Sequence, residues 1–235
     1  MKLFESNGLM VIGTGIAGNP SRNRKTGAIP QLWIMPTNHP TESRHNGTDN
    51  VVCGECPLRT AAGGGCYVLP VAVDGLWKRY KDTIELSPPW EQLHRRHPVL
   101  RVGAYGDPGA PGVVDWLAGV LSQYKGRVLG YTQQWREDHA QPMRKWAMAS
   151  VYTIDEAKEA AARGWRYYRV TRPGESATGA GERICPHYVS GVTCQVCKLC
   201  TGSSGRGRSI VAPAHGAGSA AVVRVIEARE GVSHG

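Results

Sequence analysis

The sequence contains no run of about 18 apolar residues, so nothing in it predicts a helix that crosses a membrane. Heptads, low-complexity tracts and internal repeats are also missing, which excludes coiled-coil and solenoid organisation. No block of like charge occurs. The net charge is +9, yet Lys and Arg outnumber Asp and Glu by 6 to 4, 11 to 8 and 11 to 7 over residues 1–60, 61–150 and 151–235. A nucleic-acid binder usually gathers such an excess into a patch or an arm. Spread charge permits an anionic partner without selecting one. The opening Met1-Lys2-Leu3-Phe4-Glu5 puts an acid where a signal peptide needs its apolar stretch, so the cytoplasm is the expected location. Phenylalanine is nearly absent, one residue beside seven Trp and nine Tyr.

Glycine and proline are plentiful, 30 and 15 residues, about 19% of the chain against a usual ~12%. They fall between apolar runs and predict many loops rather than disorder. Seven cysteines form two groups, Cys53, Cys56 and Cys66, then Cys185, Cys194, Cys197 and Cys200. An odd count in CxxC-type spacing, without a secretion signal, argues against a disulfide framework and for metal or redox chemistry.

Leu9–Ile12 and Gln31–Met35 read as strands around a basic, Gly- and Asn-rich connection, followed by a polar loop from Thr37 and a short strand Asn50–Val52 ending at Cys53. From residue 99 the rhythm changes. Val99–Tyr105, Arg127–Thr132, Trp146–Val151, Arg166–Thr171, Arg183–Ile184 and Ser209–Pro213 read as strands. Pro111–Lys125 and Ile154–Arg163 read as helices, the second with Thr153 as N-cap, acids in its first turn and Gly164 at its end. Alternating strands and helices predict parallel pairing, and the fold class is α/β: a partial, TIM-like (β/α) barrel with cysteine-rich loops at its mouth. One domain is expected over 1–216, with 1–48 a β-hairpin extension and 185–208 a cysteine-rich metal loop. Residues 217–235 are expected to be a tail with a short helix at Ala220–Ala228. In such a barrel Cys53, Gly106-Asp107-Pro108, Gln133-Gln134-Trp135, Tyr152-Thr153, Cys185 and His215 would share the face on which active sites are built.

Three closely spaced thiolates with a fourth at a distance, as in Cys185-x8-Cys194-x2-Cys197-x2-Cys200, suit a cubane iron–sulfur cluster. A four-cysteine zinc site fits the same residues. Cys53-x2-Cys56-x9-Cys66 is one ligand short of a closed site. Either His39, His45 or another residue completes it, or one metal position stays open for a ligand, as catalysis requires. Gly63-Gly64-Gly65 lets the backbone fold closely around an ion there. Asp107 in its glycine turn is able to hold an ammonium or hydroxyl group, or simply to cap the following helix. Gln133, Gln134, Trp135 and His139 form a polar-aromatic group, His215 is a candidate acid–base, and Arg22-Asn23-Arg24-Lys25 is a basic run able to meet phosphate.

The set Cys53-Gly54-Glu55-Cys56-Pro57, Cys66-Tyr67, Arg101-x-Gly103-Ala104-Tyr105-Gly106-Asp107-Pro108, Gly130–Trp135, the closing cysteines and Ala214-His215-Gly216 resembles a cysteine-cluster family of phage and mobile-element proteins. That resemblance implies a bacterial host cytoplasm and assigns no activity. More distantly, the chain is similar to radical S-adenosylmethionine enzymes, which share a partial or full (β/α) barrel and three cysteines in the first loop. Their usual spacing is three residues then two, whereas here it is two then nine. The similarity implies a 4Fe-4S cluster at Cys53, Cys56 and Cys66 with an open iron for S-adenosylmethionine. Tyr67 would be the aromatic neighbour, and Gly106, Asp107 and Pro108 would seat the methionyl amine. An auxiliary cluster would occupy the second group, with His215 and Gln134 as catalytic candidates. An electron donor such as flavodoxin or ferredoxin and a small-molecule or nucleotide substrate would be the partners. The competing expectation is a zinc-stabilised nucleic-acid-binding protein; a third is a redox or scaffold protein with one cluster and one zinc.

Overall fold

The computed structural model describes residues 1–18, 21, 23–175, 179, 181–205, 207–216 and 218–231. Arg22 of the basic run, and residues 217 and 232–235 of the expected tail, lie outside the described residues. Strand β1 (Lys2–Ser6) turns into β2 (Leu9–Thr14) through Asn7 and Gly8, at φ 51° and 79°. A two-residue hairpin turn needs both central residues in the left-handed region, which Asn-Gly tolerates. β2 pairs antiparallel with β3 (Gln31–Pro36), from Leu9↔Pro36 to Thr14↔Gln31. The two strands read from the sequence therefore pair with each other, and β1 adds a third that the reading did not contain.

Four helices follow, α1 (Pro40–Asn46), α2 (Asn50–Cys53), α3 (Pro70–Tyr80) and α4 (Trp90–Arg96). Two expectations change here. The expected loop from Thr37 contains α1, opened by Pro40 and closed by Gly47 at φ 82°. The expected strand Asn50–Val52 is the helical turn α2, in which the Asp49 carbonyl accepts from Val52 and Cys53 N–H. A β-branched pair that short has no strand neighbour, and Val52 is buried instead against the core.

β4 (Val99–Arg101) stops short of Tyr105 because Gly103 and Gly106 turn the chain at φ 66° and 71°. Helix α5 (Val114–Gln123) leads to β5 (Arg127–Leu129) and β6 (Tyr131–Thr132). These two were expected as one strand. They part at Gly130, whose N–H leaves the ladder and donates to the Cys200 carbonyl at 3.3 Å. Next come β7 (Met148–Val151), α6 (Ile154–Ala162), β8 (Tyr167–Thr171), β9 (Glu182–Ile184), α7 (Pro186–Ser190) and α8 (Cys194–Cys197). Strand β10 (Ser209–Pro213) and helix α9 (Ser219–Glu230) are the last elements among the described residues.

Two five-stranded sheets result, ordered β1-β2-β3-β4-β5 and β6-β7-β8-β10-β9. Every pairing from β3 onward is parallel. The α/β class holds; among the described residues the strands do not close into a barrel. Strand neighbours go to opposite sides. Leu100 and Val128 join the large core packed by Leu117 and Leu121 of α5. Val99 and Leu129 face the other way and pack with Met148, Ile210, Cys185 and Cys200. The second cysteine group is thus fastened to the inner side of the sheets.

The C-terminal segment is docked, not loose. Val222 and Ile226 of α9 pack with Leu58 and Tyr152, Arg172 pairs with Glu230 at 2.5 Å, and Arg229 pairs with Glu156. Glu156 also closes the capping box of α6: its N–H donates to Thr153 Oγ1 at 3.1 Å while its carboxylate accepts from the Thr153 N–H. Replacing Thr153 with Ala is expected to lower stability by about 1 kcal/mol, with Ser retaining most of it, as read from urea unfolding midpoints. An unchanged midpoint in Thr153→Ala would show that the cap contributes nothing.

Candidate functional site

A cavity of about 320 Å³ lies at the C-terminal ends of the parallel strands, the end at which such sheets build their sites. Alternate strand positions line it: Arg101 and Gly103, Leu129 and Tyr131, Tyr168 and Val170. This is the inner side that also carries the second cysteine group.

The first cysteine group reaches the cavity from the long β3–β4 connection. Cys53 ends α2, Cys56 follows in the next turn, and Cys66 comes after the glycine run; all three line the cavity, as does Tyr67. The glycines are needed for this. A Cβ on Gly64 would fall 2.3 Å from the Pro57 carbonyl oxygen, so any side chain there would push the two halves of the loop apart. Burial, then the neighbouring Cys56, raises the Cys53 thiol pKa well above its ordinary value, and burial pushes Cys56 up to about 12. Thiols so placed remain protonated unless a cation arrives to stabilise the thiolates. Tyr67 is 60% exposed, and its hydroxyl end is crowded enough that burial raises its pKa. Neither His39 nor His45 stands with the thiols: His39 packs against Trp77 at 4.9 Å and lies 3.9 Å from Asp74, and His45 does not line the cavity.

Gly106 and Asp107 also line the cavity. Gly106 passes so close to β3 that a Cβ would lie 2.2 Å from the Ile34 carbonyl oxygen. Asp107 is 5% exposed, and its carboxylate accepts from Gly109 N–H at 2.7 Å and Gln133 N–H at 2.6 Å. Its own N–H donates to the Val52 carbonyl at 2.7 Å. The acid organises the turn and ties it to the first cysteine loop. Pro108 is buried behind, with its ring over Gly103, and does not line the cavity. Gln134, 7% exposed, stands behind Gly54 with its Oε1 3.2 Å from His139 Nε2, one layer from the cavity. Its neighbour Gln133 is the one that faces in, donating to Ser150 Oγ at 2.9 Å and Tyr152 Oη at 2.7 Å.

In the second group, Cys194 and Cys197 bound the single turn α8, and Lys198 at φ 55° turns the chain back toward buried Cys200. Cys185, Cys194, Cys197 and Cys200 surround one void of about 10 Å³. Burial pushes Cys200 up to about 12, partly opposed by a hydrogen bond with Tyr131. Cys194 also lines the large cavity, so the two groups border one space. All seven cysteines are free. As they stand, no three His, Cys, Asp or Glu side chains among the described residues are arranged to hold a metal ion.

His215 stands exposed on the cavity wall, its Nε2 3.4 Å from Lys25 Nζ and its ring 5.0 Å from that of Tyr188; burial, then Lys25, lowers its pKa. The sequence places Tyr152 at a strand end on this face, whereas Tyr131 and Tyr168 are not among the expected site residues. Their signal was the two-residue alternation of Leu129-x-Tyr131-x-Gln133, Ser150-x-Tyr152 and Tyr168-x-Val170 toward strand ends. No family model, no curated protein and no solved structure matches the chain. No helix among the described residues is long and apolar enough to cross a membrane.

Burial raises the Asp107 pKa to about 6, against the hydrogen bonds that lower it. The native protein therefore holds a proton between about pH 4 and pH 6 that the unfolded chain has released, and stability is lost as pH rises through that window. In metal-free protein the expected loss is roughly 3 kcal/mol at most, and Asp107→Asn flattens it, as measured by chemical unfolding at each pH. An identical slope in the variant would remove Asp107 as the source.

Proposed function

We propose that the chain is an iron–sulfur enzyme of the radical S-adenosylmethionine kind, built on a partial (β/α) barrel whose mouth is the cavity. The observation that carries this reading is the convergence of Cys53, Cys56 and Cys66 on that cavity, with His39 and His45 both placed elsewhere. Three thiolate ligands leave a cubane cluster one corner free, the open position that catalysis needs. The donor set fits the group: soft sulfur ligands, buried and mutually repelling as thiolates, are stabilised by iron. When bound and reduced, such a cluster with S-adenosylmethionine supplies an organic radical able to remove a hydrogen atom from a substrate.

The chain's own residues have separate tasks in this reading. Cys53, Cys56 and Cys66 hold the cluster, and the Gly103–Gly106 turn offers backbone groups at the cavity edge for the methionyl end. Asp107 holds that turn against the Val52 carbonyl, Pro108 supports it from behind, and Gln134 backs Gly54 of the first cysteine loop, the last two as positioning residues. Leu58, Val170 and Val222 give the cavity an apolar wall that excludes water. His215, beside Lys25 at the rim, is placed to give or take a proton. Cys185, Cys194, Cys197 and Cys200 hold a second cluster, which an electron donor such as flavodoxin or ferredoxin would serve.

One observation favours zinc at the second group. Its void of about 10 Å³ has room for about one small atom or ion. With zinc there and no iron at the first group, the chain would instead be a zinc-stabilised nucleic-acid-binding protein.

Anaerobic purification with iron, sulfide and zinc counted together tests both. Two clusters give brown protein with about eight irons. Cys56→Ala is expected to lose roughly half of the iron, together with the change that S-adenosylmethionine makes in the electron paramagnetic resonance of the reduced protein. Four irons and one zinc keep the enzyme and assign zinc to the second group. Colourless protein that holds zinc and takes up no iron or sulfide overturns the enzyme reading.

A further inference from the structure

Five of the nine tyrosines line the cavity, Tyr67, Tyr105, Tyr131, Tyr152 and Tyr168, and none of the seven tryptophans does. The rings of Tyr131 and Tyr168 are in contact, with centroids 4.6 Å apart. Flat aromatic walls at several angles suit a planar ring, which every nucleobase presents.

Charge on these walls is one-sided. Arg101 and Lys25 line the cavity, and Asp107 is the one acid that does so, its carboxylate already engaged by backbone N–H groups. Lys25 meets neutral partners only: Nζ donates to Tyr188 Oη at 3.3 Å, approaches His215 Nε2 at 3.4 Å and lies over the Tyr188 ring at 4.8 Å. The Arg101 guanidinium has no hydrogen bond or ion pair with any described residue; its backbone N–H is used in the sheet, donating to the Pro30 carbonyl at 3.0 Å. Every Asp and Glu of the chain belongs to the described residues, so no acidic side chain elsewhere in the sequence is left to pair with them. The two cations share the cavity wall with Cys194. A guanidinium on a cavity wall with no protein partner has its fork of donors free for an anion.

We infer that the cavity takes an aromatic ring carrying an anion, a nucleoside monophosphate in its simplest form, with the ring among the tyrosines and the phosphate on Arg101 and Lys25. This names the substrate class of the proposed enzyme and rests on the cavity being its active site. Arg101 receives the anion in a fixed fork of donors, and Lys25 adds a second charge from the loop before β3.

Calorimetric titration of the full chain as purified with adenosine monophosphate, adenosine and inorganic phosphate tests it. The monophosphate is expected to bind at least about tenfold tighter than either fragment, since ring and anion are both engaged. Arg101→Met and Lys25→Met are each expected to weaken it about tenfold or more while leaving adenosine within about twofold; Arg101→Lys restores part of the loss. Unfolding midpoints of the variants establish that they fold. Equal binding of adenosine and its monophosphate, or unchanged affinity in both Met variants, overturns the inference. The titration needs neither iron nor reduction, so the two proposals fail separately. Arg101-dependent nucleotide binding in a protein that takes up no iron removes the enzyme and keeps the site. Cleavage of S-adenosylmethionine without nucleotide recognition does the reverse.

Discussion

The cavity depends on the buried carboxylate of Asp107. Through its own N–H it holds the Val52 carbonyl and with it the turn that ends at Cys53. Through its oxygens it holds Gly109 in its own turn and Gln133 beyond the end of β6. Three segments far apart in sequence thus meet at one buried residue, Val52 through the Asp107 backbone and Gln133 through the Asp107 carboxylate. Each of those backbone N–H groups would be left without a partner if the acid were lost, and buried donors without acceptors are expensive. Gly106 next to it is similarly determined, since the Ile34 carbonyl of β3 occupies the space a side chain would need.

The two cysteine groups differ in how they are anchored. The second is fastened to the inner face of the sheets, with Cys185 and Cys200 packed against Val99, Leu129 and Met148. The first is carried on short helical turns between β3 and β4, and its shape comes from glycines and from Arg59. That guanidinium donates to Asp49 at 2.9 Å and to the Gly54 carbonyl at 3.0 Å, bracing α2 from outside the cavity. Net charge says little about this site. The +9 of the whole chain is spread, whereas the cations on the cavity wall are Arg101 and Lys25, which have no acidic partner and share the wall with cysteines and tyrosines.

Much of the parallel half was legible in the sequence because its signals are local. Thr153 with Glu156 announces α6, the apolar spacing of Val114, Leu117, Val120 and Leu121 announces α5, and the strands between them follow. The first half was harder. The Asn7-Gly8 turn marks the opening hairpin plainly, and the missed strand β1 lies under that signal. Residues 70–80 and 90–96 begin with Pro or follow it and have weak apolar patterns, so α3 and α4 come from packing of Val73 and Trp90 into the core rather than from propensity. Asn50–Val52 shows the limit from the other side: three residues hold no period, and the choice between strand and helical turn was made by Asp49 and Gly54. Of the residues singled out by spacing and strand ends, Cys53, Cys56, Cys66, Cys194, Asp107 and His215 line the cavity, as do Tyr67 and Gly106, to which the resemblance pointed. The exchange of Gln134 for Gln133 as the inward residue was not, because a one-residue change of register reverses which side chain faces in.

The cavity is walled by segments far apart in the sequence. Gly65, in the first cysteine loop, approaches Ala221 of α9 so closely that a Cβ would fall 2.7 Å from it, and a Cβ on Gly218 would fall 2.9 Å from the Gly65 carbonyl oxygen. His215, Gly218 and Val222 form the last part of the wall. During synthesis the first thiols therefore leave the ribosome some 150 residues before the segment that covers them. Until α9 has docked they stand open to solvent, oxygen and metal ions. Any group loaded between them has its widest access in that interval, and docking of the final helix is the event that ends it.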